Sequence, residues 1–313
     1  MRSAAIVQPG LKPAQLIYDL VHRFPLSIQY LGKMFLPFNL SVYPMQQDTV
    51  YYYGFITLCI LLLSIVLYKK RNLKIITAGL LVFFLFMLSV FFLPPAICDQ
   101  TFEYRMYLPM FAIFLILPQT VILQNKLNDR QLLTGGIVIA GLFIMINLHY
   151  QQNFNNPLAF WTQAAETSPH SAEANMRLAA RTDDEEKSKE LFLRAFALNP
   201  KEKHLNFIYG VMLQNKDSFL ASEKYLLAEK SITNCYECDL YLAQVAMKKK
   251  DPKGAIFYLQ SYLATDSTDK TANDNLLLLY LDTDQDDKAK THAQRMLSLG
   301  LDVPPSVREH FHI

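Results

Sequence analysis

The stretch SKELFLRAFALNP, residues 188–200, decides the fold. A small residue, Ser188, is followed four positions later by Phe192 and three positions after that by Ala195. Residues spaced i, i+4 and i+7 form a single stripe on a helix. A small side chain at the head of that stripe lets the helix come close to a partner, and Pro200 then halts it. The pattern returns as Ala221–Tyr225–Ala228, Ala255–Leu259–Tyr262 and Ala289–Ala293–Met296, with its first residue displaced by 33, 34 and 34 positions.

A helical period of 34 residues is that of tetratricopeptide repeats. Each second helix has a first helix ahead of it, in SAEANMRLAA (171–180), HLNFIYGVML (204–213), DLYLAQVAMK (239–248) and NDNLLLLYLD (273–282). A half unit, Pro157–Trp161–Ala164 followed by Pro169, is expected to cap the array on its membrane side. Such repeats stack into a superhelix whose concave face takes a protein or peptide partner.

Upstream of the repeats the composition changes. The 313 residues carry a net charge of +2 and are 51% hydrophobic, but the apolar residues crowd into the first 148. Segments at about 50–68, 75–94, 106–123 and 131–148 approach the roughly 20 apolar residues that a bilayer core requires. The expectation is all-α: four transmembrane helices followed by a tetratricopeptide α-solenoid. Residues 1–48 form an external juxtamembrane segment, 49–148 the membrane domain and 149–313 the repeat domain.

Basic residues in the short connections set the orientation. Lys69, Lys70, Arg71 and Lys74 fill the first connection, and Lys126 and Arg130 the third, so both face the cytoplasm. The second connection and the repeats then lie outside, in the periplasm of a bacterial inner membrane. The N-terminal segment must also lie outside although it holds Arg2, Lys12, Arg23 and Lys33, which points to spans upstream of Met1. Its apolar run, broken by Pro25 and Pro37, reads as helix lying in the headgroup region, with membrane lipid as partner. No secretory signal peptide is evident. Without a basic stripe interleaved with aromatics, nucleic acid is not a partner.

Few motifs carry chemistry. Cys235 and Cys238 make a lone C-x-x-C; zinc needs four ligands, and no second pair completes the set. They read as two cysteines at a helix start, open to oxidation into a local disulfide outside the membrane. His310 and His312 fall in a tail expected to be unstructured, so no metal is assigned. KKKDPK (248–253) is a solvated turn between helices, and no phosphate-binding glycine loop or hydrolase elbow appears.

The outer connection is the informative one. It places Asp99, Glu103 and Arg105 among Tyr104 and Tyr107 at the headgroup level. An aromatic belt with snorkelling charges is one reading. In the other, Arg105 pairs a lipid-linked phosphate, with Glu103 orienting the guanidinium.

The segments YLGKMFLPFNLSVYP (30–44), FEYRMYLPMFAIFLIL (102–117) and FWTQAAETSPHSAEANMRLA (160–179) together resemble polytopic C-type glycosyltransferases with tetratricopeptide tails, the protein O-mannosyltransferase-like membrane proteins. Glu103, Arg105, Tyr107, Leu108 and Pro109 match the family's outer-loop pattern, while Tyr104 and Ala112 depart from it. The resemblance implies transfer of a sugar from a polyprenyl-phosphate donor to a protein acceptor on the external face, with Arg105, Glu103 and Tyr107 near the donor phosphate. It also places the family's catalytic acids in an earlier external loop that has no counterpart in these residues, so catalytic residues are unassigned. Apart from such a donor, no cofactor is implied. The chain is then part of a glycosyltransferase, or a non-catalytic membrane scaffold; which sugar, acceptor or repeat ligand it meets is open at this level.

Overall fold

The computed structural model describes residues 13–92, 100–124 and 128–313, and every regular element in them is helical. Residues 1–12, with Arg2 and Lys12, lie outside the described residues, as do Cys98, Asp99 and Lys126. The chain divides into two compact units, residues 1–174 and 175–313.

The first unit holds α1 (Pro13–Arg23), α2 (Leu26–Phe35), α3 (Tyr52–Leu67), α4 (Leu73–Phe91), α5 (Tyr107–Ile116), α6 (Val121–Gln124), α7 (Asp129–Gln151) and α8 (Pro157–Thr167). Pro25 separates α1 from α2, as the sequence suggests, but α2 does not lie on a surface. It buries Leu26, Tyr30 and Leu31 with Phe83, Met87 and Val90 of α4. Its crossing with α3 is made backbone to backbone: a Cβ added at Gly32 would fall 2.5 Å from Gly54 N. α1 keeps an apolar face open, through Ile17, Tyr18 and Val21.

Among the described residues two helices, not four, are long and apolar enough to cross a bilayer, namely Leu73–Phe91 and the helical stretch Asp129–Phe154. The physical reasons are local. α3 has 16 residues, about 24 Å at 1.5 Å per residue against a hydrocarbon core of about 30 Å. The segment expected at 106–123 is cut at Pro118, where α5 gives way to a 3-10 turn, Leu117–Gln119, and then to the one-turn α6. α5 packs instead along α4, burying Ala112 and Ile116 beside Gly79. By contrast α7, started by an Asn128–Gln131 capping box, buries none of its 23 residues.

The half unit around Trp161 falls in the first compact unit, residues 1–174. Side chains of α8 hold the 40–45 loop: Gln163 Nε2 donates to the Leu40 carbonyl at 2.7 Å, and Gln163 Oε1 accepts from Val42 N at 2.9 Å. Ser168 Oγ donates to the Tyr43 carbonyl at 2.7 Å.

The second unit continues α9 (Ala172–Ala179), which crosses the boundary, with α10 (Glu185–Leu198), α11 (Leu205–Asn215), α12 (Phe219–Ile232), α13 (Glu237–Lys248), α14 (Pro252–Leu263), α15 (Lys270–Asp282), α16 (Asp286–Ser298) and α17 (Pro305–Phe311). These are helix hairpins. Three successive turns share one geometry, with a left-handed residue at Asp217, Lys250 and Asp284. In each, the next residue's N–H reaches back five positions: Ser218 to Leu213, Asp251 to Ala246 and Gln285 to Tyr280, all at 2.9 Å.

That turn fixes where the second helix begins, and the small residue follows four positions after the N-cap. Ser188, Ala255 and Ala289 are buried there, with Phe192, Ala195, Leu259, Tyr262, Ala293 and Met296 on the same stripes. One register differs. In α12 the buried stripe is Ser222, Leu226 and Glu229, one residue beyond the expected Ala221, Tyr225 and Ala228, and Ala221 is exposed. The cause is the N-cap at Ser218, which puts position four at Ser222. The tail is also ordered: α17 seats Val307 and Phe311 on the cluster containing Ala293 and Met296.

Candidate functional site

The outer connection is positioned by what it pairs with. Gln100 bridges Met45 in antiparallel fashion, and Thr101 N–H donates to the Pro44 carbonyl at 2.9 Å. A 3-10 turn, Glu103–Met106, then runs directly into α5. Tyr30 and Lys33, three apart on α2 and therefore on one face, rise to meet it. Tyr30 Oη donates to the Phe102 carbonyl at 3.3 Å, and Lys33 Nζ sits 2.5 Å from Glu103 Oε1.

Glu103 therefore pairs with Lys33, and among the described residues no hydrogen bond joins it to Arg105. Arg105 donates through Nη1 to the Gln100 carbonyl at 2.5 Å, its guanidinium 5.8 Å from the Phe102 ring centre and 5.6 Å from that of Tyr104. One donor is spent on the Gln100 backbone, a side-chain hydrogen bond links the guanidinium with the Tyr30 phenol, and two rings flank the cation. Burial pushes the Tyr30 phenol well above its ordinary range; Arg105 opposes the shift and Glu103 reinforces it. Tyr30 thus stays a proton donor to the loop. Tyr104 and Tyr107 are exposed.

The outer connection continues into a line of aromatic rings. Tyr104 stacks on Phe102 at 5.7 Å, and Phe102 meets Tyr43 at 6.3 Å. Tyr43 meets Trp161 at 5.6 Å, Trp161 meets Phe160 at 5.0 Å, and Phe154 links Phe160 to Tyr150 at 5.7 and 5.5 Å. The Tyr43 hydroxyl ties the line to polar groups, accepting from Gln100 Nε2 at 2.8 Å and donating to Glu173 Oε2 at 2.6 Å.

Reading by residue type missed Tyr30 and Lys33, although both stand in the segment 30–44 that carries the family resemblance. In the second unit Cys235 and Cys238 form a disulfide at the start of α13. It is packed among Leu226, Leu242 and Val245, a structural setting rather than an exposed redox site. Among the described residues no group of three metal-ligating side chains forms.

The hairpins and their recurring turns define the second unit as a helical-repeat, tetratricopeptide-like domain. No protein-family profile matches this chain, and no curated protein does. Solved structures are similar to part of this chain. PilF of Pseudomonas aeruginosa is 19% identical with a TM-score of 0.44, over 55% of this chain and 84% of that one. The MamA protein is 14% identical with a TM-score of 0.40, over 50% and 92%. At these values neither likeness assigns a role to any residue here.

Proposed function

We propose that this chain is a membrane-anchored repeat scaffold, in which α4 and α7 hold the first unit in a bilayer and the repeats recruit a protein partner. The carrying observation is α7. A helix that is apolar on every side is stable only where something covers it, and α7 leaves Leu133, Ile137, Ile139, Phe143, Ile144 and Leu148 all exposed. Lipid covers such a helix without any partner chain. The basic loop at Lys69, Lys70 and Arg71 supports a cytoplasmic end for α3 and α4. The Cys235–Cys238 bridge supports repeats on the oxidising side, because disulfides persist there.

Liposome flotation of the full-length protein, followed by carbonate extraction, tests the anchor; recovery in the soluble fraction would overturn it. For the repeats, a photo-crosslinking residue at Gln244, on a first helix, should label a defined protein that the same residue at Phe257, on a second helix, leaves unlabelled. Equal labelling from both helices would overturn recruitment by the first-helix face.

A second reading follows from Arg105. Held against Phe102 and Tyr104, a guanidinium suits the phosphate of a polyprenyl-linked sugar, the donor that the glycosyltransferase resemblance implies. Arg105→Ala should then remove binding of polyprenyl phosphate to the reconstituted protein while flotation is unchanged. Undiminished binding by that variant would end this reading.

A further inference from the structure

The first unit contains a groove of about 640 Å³ between α7, α8 and the 37–40 loop, within the size range of small-ligand sites. Its wall changes character along α7. Met145 and Ile146 line it at one end, His149 follows a turn later and Asn153 a turn beyond that. At 1.5 Å per residue this passes from apolar to polar within about 12 Å. Phe38 and Leu40 add apolar surface from the loop. The apolar end runs on to the uncovered surface of α7, and Tyr150 of the aromatic line also borders the groove.

Among the described residues, Glu166 of α8 is the one carboxylate in the lining, no Lys or Arg lines it, and its other polar groups are amide, hydroxyl and imidazole side chains. The side chains of Glu166, His149 and Asn153 make no hydrogen bond to other described residues, whereas the neighbouring Gln163 amide is spent on Leu40 and Val42. A ligand that is apolar at one end, polar at the other and cationic at its tip complements all of these features. A zwitterionic phospholipid has that order of groups, and its amine answers the carboxylate.

We propose that this groove holds the headgroup and glycerol of a phospholipid bearing a primary ammonium, with the amine on Glu166 and the acyl chains lying along Met145 and Ile146 of α7. The phosphate falls between, within reach of the Asn153 and His149 side chains. This rests on the membrane-anchor reading and adds to it a lipid identity and a residue that selects it.

The test is native mass spectrometry of the full-length protein released from micelles holding equimolar phosphatidylethanolamine and phosphatidylglycerol. Wild-type protein should retain phosphatidylethanolamine over phosphatidylglycerol by about fivefold, the size that one partly exposed ion pair supports. Glu166→Gln should abolish the preference, and Glu166→Lys should reverse it. Soluble phosphoethanolamine in excess should not displace the lipid. Equal retention by wild type, an unchanged preference in Glu166→Gln, or displacement by phosphoethanolamine would each overturn the proposal. Glu166 is exposed, so the variants should keep the fold, and circular dichroism checks this. Flotation separates the two readings: protein that floats without lipid preference defeats only the groove, and protein that fails to float defeats the anchor.

Discussion

Lys33 and Glu103 form an ion pair of 2.5 Å although 70 residues separate them, and their side chains are only 7% and 18% exposed. The pair ties α2 to the turn that starts α5. Removing one partner of a buried pair strands the other, at a cost of about 3 kcal/mol or more, while replacing both by apolar groups is often near neutral. Lys33→Ala should therefore lower the thermal midpoint of the detergent-solubilised protein substantially, and Lys33→Met with Glu103→Leu should restore most of it. Equal loss in the single and double variants would mean that the pair is not what holds the turn.

Glu229 is fully buried and caps a helix to which it does not belong. Its Oε1 accepts from His204 N at 2.9 Å and from Thr233 Oγ1 at 3.0 Å, and its Oε2 accepts from Phe207 N at 3.4 Å. The N-cap of α11 is His204, left-handed at φ 67° and without a side-chain cap of its own. Glu229→Ala should cost about 2 kcal/mol in denaturant unfolding, because two backbone donors are left unpaired in the interior. Glu229→Gln, which keeps an acceptor oxygen, should cost less.

Lys250 has φ 58° in the turn between α13 and α14. A side chain in the left-handed region costs about 1 kcal/mol, and glycine is the usual occupant of this position in such turns. Lys250→Gly should raise stability by about that amount, whereas Met247→Gly, inside the helix, should lower it by about 1 kcal/mol. A destabilised Lys250→Gly would contradict the turn geometry.

His292 gives the repeats a pH dependence of known sign. Burial lowers its pKa below the ordinary value; the hydrogen bond to the Asn273 carbonyl, 3.2 Å away, opposes the shift, and Arg295 adds to it. The unfolded chain then binds a proton at higher pH than the folded one. Stability is full above the unfolded value of about 6.5 and falls as pH drops toward the folded value. The thermal midpoint should decline between pH 7 and pH 5, and His292→Gln should flatten that decline. A steeper decline in the variant would reverse the assignment.

Much of the second unit was legible in the sequence. The 34-residue period survives because three successive hairpins reuse one turn, and the small residue four positions after the N-cap is set by local geometry. The register of α12 was not legible. Ala221 and Ser222 are both small and adjacent, so composition gave no reason to choose between them; the N-cap at Ser218 chose. The tail had no obvious period, yet Phe311 finds a pocket on the last hairpin.

The outer connection shows the opposite balance. Its residue types suggested an anion site, and the structure sets Arg105 against the Gln100 carbonyl and two aromatic rings. The partner of Glu103, however, came from α2, which no spacing rule connects to residue 103. The spans behave likewise: hydropathy counts apolar residues, but helix length ends where Pro118 removes a backbone donor and where α3 runs out of turns.

By itself, then, the sequence determined that this chain is helical, that its last 140 or so residues repeat, and that its first half is too apolar to be solvated on all sides. Those properties follow from period and composition, which act locally along the chain. The tertiary structure alone decided that Lys33 meets Glu103, that Glu229 caps α11, that α2 is buried and that α7 is not. Each depends on groups far apart in sequence being brought within a few ångströms, and no local pattern encodes that.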